Sequence, residues 1–126
     1  MTANSVTVQK SRDFAVRIYK LCKYLTGEKN EIILSRQLLR SGTSVGANLS
    51  EAKCAISADD FLAKVYIAYK ECSETLYWLD LLKNVGLIPT EWYESINSDC
   101  EEIMKLLTAT IKKKKQVKKK LNITII

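Results

Sequence analysis

At 126 residues, 47% of them hydrophobic and 27% charged, the chain is long enough for one domain with its own core, and its net charge of +6 makes it basic. One proline and four glycines leave little room for a turn-rich β protein, and no apolar run reaches the length of a membrane span. With no histidine, the chain cannot build a histidine-based triad, an H-E-x-x-H zinc site or the Glu-x-x-His pairs of a di-iron bundle.

Residues 1 to 8 are expected to be irregular, and the stretch MTANSVTVQKSRDF holds no apolar signal region, so the expected location is cytoplasmic. The first helix is predicted over about 8–26. Phe14, Ile18, Leu21, Cys22 and Leu25 form its apolar stripe, and Gly27 stands where a helix commonly stops. Lys10, Arg12, Arg17, Lys20 and Lys23 lie on its other faces, opposed only by Asp13 nearby. Such a charge run reads either as a solvated face or as a surface for an anion.

The second helix is predicted over about 31–56, and it is the stretch on which the rest depends. SRQLLRSGTSVGANLSEAKCAI is rich in serine, threonine and glycine and looks like a loop. Yet Leu38, Gly42, Val45, Leu49, Ala52 and Ile56 recur at steps of three and four, which is the seam of a packed helix. Each interior glycine costs a helix about 1 kcal/mol relative to alanine. Gly42 and Gly46 share one face, so the predicted reason for both is close approach by another backbone. Asn48, Glu51 and Ser44 beside this seam are expected to form a polar network with the third helix, through Ser73 or Lys70.

Ser57 followed by Asp60 reads as an N-cap with its acidic partner, opening a third helix at about 58–84. Two stripes run along it, one through Phe61, Val65, Ala68, Cys72, Leu76 and Leu79, the other through Leu62, Tyr66, Tyr69, Tyr77 and Leu81. So wide an apolar face points to two or more partners, one of them in another subunit. Gly86 and Pro89 end this helix. Thr90 caps a fourth, predicted over about 90–113, with Trp92, Ile96, Cys100, Ile103, Leu107 and Ile111 on its stripe. Short links require these four helices to run up, down, up, down, so the fold class is all-α: an antiparallel four-helix bundle over 1–111.

Residues 112–126 form a lysine-rich C-terminal tail. Lys112, Lys113, Lys114, Lys115, Lys118, Lys119 and Lys120 supply its entire charge. Ile111, Val117 and Leu121 could carry the fourth helix onward, while Leu121 to Ile126 read as a free end or a segment that docks on a neighbouring subunit. Residues 1 to 53 carry nine basic and four acidic side chains, and residues 54 to 111 carry four and ten. Such asymmetry suggests an oriented surface, for an anionic partner or for self-association.

Chemistry has few candidates. Cys22, Cys54, Cys72 and Cys100 form no C-x-x-C pair; the expectation is that Cys22, Cys72 and Cys100 fill the core, with no disulfide, metal or cofactor. Glu71 with Glu74, and Asp99 with Glu102, are carboxylate pairs one helical turn apart. If they faced each other they could hold magnesium against a nucleotide, as in all-α nucleotide pyrophosphatases, although the flanking acidic doublet of those enzymes is missing.

The stretch RQLLRSGTSVGANLSEA resembles the signature of the bacterial four-helix-bundle family of the 23S rRNA intervening-sequence proteins. That family shows Q-x-x-R, then S-I-P-x-N-I-x-E-G, then a phenylalanine opening helix three and an I-A-x-x-S-x-x-E-L pattern. Gln37, Arg40, Ser44, Asn48 and Glu51 stand at matching positions, and Phe61, Ile67, Ala68, Glu74 and Leu76 continue the match approximately. Val45-Gly46 replaces Ile-Pro, and Ala52 replaces the glycine after the glutamate; Gly46 keeps the helix narrow without a proline kink. The resemblance implies a pentameric ring of bundles around a channel. In the relatives that serve diversity-generating retroelements, such a ring is basic and engages RNA and a reverse transcriptase. The expectation is therefore a non-enzymatic, homo-oligomeric accessory protein. It would meet RNA or a nucleoprotein through Arg12, Arg17, Lys20, Lys23, Arg36, Arg40 and the lysine run. The alternatives are a purely structural protein-binding scaffold and the magnesium-dependent nucleotide hydrolase.

Overall fold

The computed structural model describes the backbone of residues 5–125 and the side chains of residues 6–121. The chain forms α1 (Ser5–Glu28), α2 (Ile33–Ala52), α3 (Ala58–Asn84) and α4 (Thr90–Ile125). Each helix packs on its neighbour in sequence, and α1 closes the ring on α4. Among the described residues the diagonal pairs do not meet, which is the square section of an up-down-up-down bundle. Phe14, Ile18 and Leu25 of α1, Leu38, Val45 and Leu49 of α2, Phe61, Val65 and Leu79 of α3, and Ile103 and Leu107 of α4 are fully buried at its centre. Fully burying a side chain of this kind contributes about 1.5–3 kcal/mol.

The links explain where the helices begin and end. α1 starts by Ser5, so the irregular segment expected over 1–8 does not hold for residues 5–8; residues 1–4 lie outside the described residues. α1 runs through Gly27, and the reversal is made three residues later by Asn30, at φ 53°. Asparagine tolerates that left-handed conformation better than most residues. The Glu31 N–H then donates to the Leu25 carbonyl (2.9 Å), while the Glu31 carboxylate accepts from the Leu34 N–H (3.1 Å) at the open start of α2.

α2 ends at Ala52, four residues before its predicted end, and Ile56 is 93% exposed rather than part of the seam. The next cap is the reason. Ser57 adopts extended backbone (φ −157°, ψ 165°) and its hydroxyl accepts from the Asp60 N–H (3.0 Å). The Asp60 carboxylate accepts in return from the Ile56 N–H (3.2 Å), which draws Ile56 out of any helical path. At the far end of α3 the predicted stop holds. Gly86, at φ 79°, lets the Leu87 N–H reach the Leu82 carbonyl (2.9 Å) and its own N–H reach that of Lys83 (3.0 Å). Ile88 then folds back into the core.

The lysine run is not a separate tail. Residues 112–120 continue α4, which at about 1.5 Å per residue is roughly 54 Å long. Lysine is a good helix former, and this segment has partners on α3: Lys114 lies over the Phe61 ring (5.3 Å), Lys115 over Tyr66 (5.1 Å), and Lys118 pairs with Asp59. The side chains beyond Leu121 lie outside the described residues, as does any docking by that segment. Among the described residues no helix is long and apolar enough to cross a membrane.

Cys22, Cys72 and Cys100 are buried and Cys54 is exposed. The Cys22 thiol donates to the Ser35 carbonyl (3.4 Å) and the Ser35 hydroxyl returns a bond to the Cys22 carbonyl (3.3 Å), stitching α1 to α2. The Cys100 thiol reaches the Cys72 carbonyl (3.5 Å). Burial pushes the Cys22 thiol up; the neighbouring Cys72, then burial, push Cys100 far up. Thiolates are the reactive form, so a disulfide reagent at pH 8 is expected to label Cys54 alone in the native protein, the three buried thiols following only in denaturant. Fast reaction of a second thiol would show that the core opens locally.

Candidate nucleic-acid interface

The signature stretch on α2 builds a polar cluster against α3. Gln37 and Arg40 lie one turn apart, and the Arg40 guanidinium donates to Gln37 (3.5 Å), to Glu71 (3.5 Å) and to the Glu74 carboxylate. The Trp78 indole N–H donates to the same Glu74 oxygen (3.0 Å). Glu71, Glu74 and Trp78 are spaced by three and four, so one face of α3 presents all three. Directly beneath, two fully buried hydroxyls, Ser41 and Thr75, lie 2.9 Å apart, and Thr75 also donates to the Glu71 carbonyl (2.7 Å). Arg40, expected from sequence to face an anion, is therefore already ion-paired within the chain. Arg40→Leu is expected to cost about 1–2 kcal/mol in urea unfolding. It leaves two part-buried carboxylates without their cation, while the half-exposed position limits the loss. A change below about 0.3 kcal/mol would mean that the cluster carries nothing, as for many surface pairs.

The two carboxylate pairs do not face each other. Glu71 and Glu74 turn toward α2, where Arg40 holds them. Asp99 and Glu102 turn toward α1, where Arg17 pairs with Asp99 and Lys10 with Glu102 (2.8 Å). The Glu102 hydrogen bond and charge also raise the ammonium pKa of Lys10. Arg17 further donates to the Ser95 hydroxyl (2.9 Å), so it too is already occupied within the chain. Among the described residues no group of three or more cysteine, aspartate or glutamate side chains is placed to hold a metal ion.

The polar network expected around Asn48 takes another form. The Asn48 amide donates to the Ser44 carbonyl of its own helix (2.8 Å), and the exposed Glu51 reaches Lys64 (3.7 Å) rather than Ser73 or Lys70. The reason is register: this end of α2 lies beside the first turns of α3, while Ser73 and Lys70 lie farther along it. At Gly46 a Cβ would stand 3.3 Å from the buried Ser11 hydroxyl and 3.5 Å from the Ser11 carbonyl oxygen of α1, whereas at Gly42 the close neighbour is the Ile18 side chain and not the backbone expected there.

The remaining predicted cations fall into two groups. Arg12, Lys20 and Lys23 are exposed on α1 with no carboxylate partner among the described residues, and Arg36 is exposed at the start of α2. Lys20 also borders a cleft of about 470 Å³ in which Tyr24 and Trp92 meet edge to face (4.8 Å). Lys112, Lys113 and Lys119 are exposed on α4 without a carboxylate partner among the described residues, and Lys120 is exposed beside them. Because α4 runs antiparallel to α1, its lysines lie at the end of the bundle where α1 begins. At about 1.5 Å per residue that places them roughly 30 Å from Lys23. The structure thus offers two basic patches rather than one continuous surface. Trp78 and the Ser41–Thr75 pair were not anticipated from sequence, although the spacing of Glu71, Glu74 and Trp78 on α3 was the available signal.

The fold and this cluster define a small all-α bundle whose second and third helices are locked by an arginine–carboxylate–tryptophan motif. The family model for the 23S rRNA-intervening sequence protein matches residues 3–109, and the chain belongs to that family. A solved crystal structure from Bacteroides thetaiotaomicron VPI-5482, a protein with unknown function from the S23 ribosomal protein family, is 51% identical. It superposes with a TM-score of 0.86, the match covering 88% of this chain and 99% of that one. No curated protein matches. The family match ends before the first lysine of the run, so the basic extension of α4 lies outside the shared bundle.

Proposed function

We propose that this protein is a non-enzymatic, homo-oligomeric accessory protein of the cytoplasm that binds RNA or a nucleoprotein through its basic patches. The observation that carries the reading is the α4 extension, where seven lysines fall within the nine residues 112–120 and Lys118 pairs with Asp59. Self-association is supported by the outer face of α3, where Tyr66, Ile67 and Tyr77 stay exposed beside the core-facing stripe. The same exposed face favours the second reading, a scaffold whose partner is another protein.

The test is fluorescence anisotropy of a labelled structured RNA at moderate salt, with three proteins. One is the whole chain, one carries glutamine at all seven lysines of the run, and one carries glutamine at Arg12, Lys20 and Lys23. Loss of binding in the second protein alone assigns the contact to α4, and loss in the third alone assigns it to α1. No binding by the whole chain overturns the RNA reading and leaves the scaffold.

A further inference from the structure

At the end of the bundle where α1 begins, a cavity of about 460 Å³ opens between α1, α3 and α4. Its size falls within the roughly 300–1,000 Å³ range of small-molecule sites. Leu106, Ala109, Thr110, Lys113, Lys114 and Val117 line it from α4. Their spacings of three and four place them on one helical face. Phe61 closes the cavity from α3 and Thr7 from α1. Thr7 is 1% exposed, and among the described residues its Oγ1 is a buried side-chain oxygen with no hydrogen-bond partner. An orphaned buried hydroxyl costs the fold about 1–3 kcal/mol, so its presence needs a reason.

A ligand supplies one. Phe61, Leu106, Ala109 and Val117 give an apolar wall, Lys113 has no carboxylate partner among the described residues, and Lys114 rests on the Phe61 ring 5.3 Å away. The Thr110 hydroxyl donates to the Leu106 carbonyl, which leaves it able to accept. We infer that this cavity binds a small amphipathic anion, an apolar body carrying one carboxylate or sulfonate-like group, with Thr7 as the buried polar anchor and Lys113 and Lys114 as the counter-charge. Lys113, Lys114 and Val117 of the lining belong to the α4 extension, which lies beyond the residues matched by the family model. The site is thus a property of this chain, and it does not depend on the RNA reading.

The test uses the whole chain and the fluorescence of 1-anilinonaphthalene-8-sulfonate, with octanoate and its neutral analogue 1-octanol as competitors. Saturable binding of the dye, displaced by octanoate at least about tenfold better than by octanol, is expected; tenfold corresponds to 1.4 kcal/mol. Thr7→Val should weaken octanoate about tenfold while raising the thermal midpoint, because it removes both the anchor and the orphaned hydroxyl. A merely structural threonine would not move the two readouts in opposite directions. Ala109→Trp, at an exposed position on the rim, should block the cavity without touching the core and keeps the test open if Thr7→Val folds poorly. Equal displacement by octanol, or an affinity unchanged by both variants, overturns the proposal.

Discussion

An alanine at Gly42 lowers the stability of the bundle by about 1–2 kcal/mol, although alanine is the better helix former by about 1 kcal/mol. The added Cβ would meet Ile18 Cγ2 at 2.8 Å and Cγ1 at 2.9 Å, with Ile18 Cβ at 3.3 Å. Ile18 is fully buried and β-branched, so it cannot rotate away from the helix crossing. Overpacking of this kind costs about 1–3 kcal/mol, and two contacts on a stiff side chain put it at the upper end. The control is Gly46, where the nearest atom is the Ser11 hydroxyl at 3.3 Å and the next the Ser11 carbonyl oxygen at 3.5 Å. There a small adjustment suffices, the propensity gain offsets it, and Gly46→Ala is expected within about 0.5 kcal/mol of the parent. Urea unfolding with unchanged slope measures both. Ile18→Ala alone should cost about 2–5 kcal/mol, and combined with Gly42→Ala about 1 kcal/mol less than the sum, because the new methyl occupies part of the hole. Equal effects at 42 and 46, with no coupling to Ile18, would mean that α1 does not approach α2 at this point.

The seam of α2 was legible because a period of three and four survives any composition. Leu38, Gly42, Val45, Leu49 and Ala52 are buried as their spacing requires. What the period cannot show is where a cap takes over. Ile56 continues the arithmetic but lies one residue before Ser57, whose extended backbone serves α3. Nor does a list of cations show which of them are already taken. Arg17 and Arg40 read like Arg12 and Arg36, and only the antiparallel register of α1 on α4 and of α2 on α3 brings Asp99 and Glu74 against the first two. The small polar residues misled in the same way. Asn48 and Glu51 drew notice by their place in the motif, while the buried bond went to Ser41 and Thr75, two hydroxyls that resemble solvent-facing residues until their neighbours across the interface are known. Pairing across elements is a property of three-dimensional register, and one chain read in isolation carries no direct record of it.

The helical form of the lysine run changes what salt does to binding. A flexible segment could wrap its seven lysines onto as many phosphates. Each neutralised phosphate adds about 0.7–0.9 to the log–log slope, so the seven together would give about 5–6. A helix cannot present all sides to one partner. At 100° per residue Lys112, Lys119 and Lys120 share one outer arc with Lys113 at its edge beside the cavity, while Lys114 and Lys118 turn inward, to Phe61 and Asp59, and Lys115 leans on Tyr66. About three to four lysines then reach RNA, for a slope near 3 attributable to this segment. Between about 50 and 200 mM salt the helical arrangement loses roughly 60-fold in affinity, the wrapped one more than about a thousandfold. The difference in slope between the whole chain and the seven-glutamine variant, measured by anisotropy across a salt series, reads this contribution directly. A difference near 3 is the expected result. A difference of 5 or more would mean that α4 unwinds beyond Ile111 to bind, giving up the contacts of Lys114, Lys115 and Lys118 with α3, and full-length helicity would then fall when RNA is added. A difference near zero would move the contact to Arg12, Lys20 and Lys23, where the cations are fewer and fixed along one face of α1.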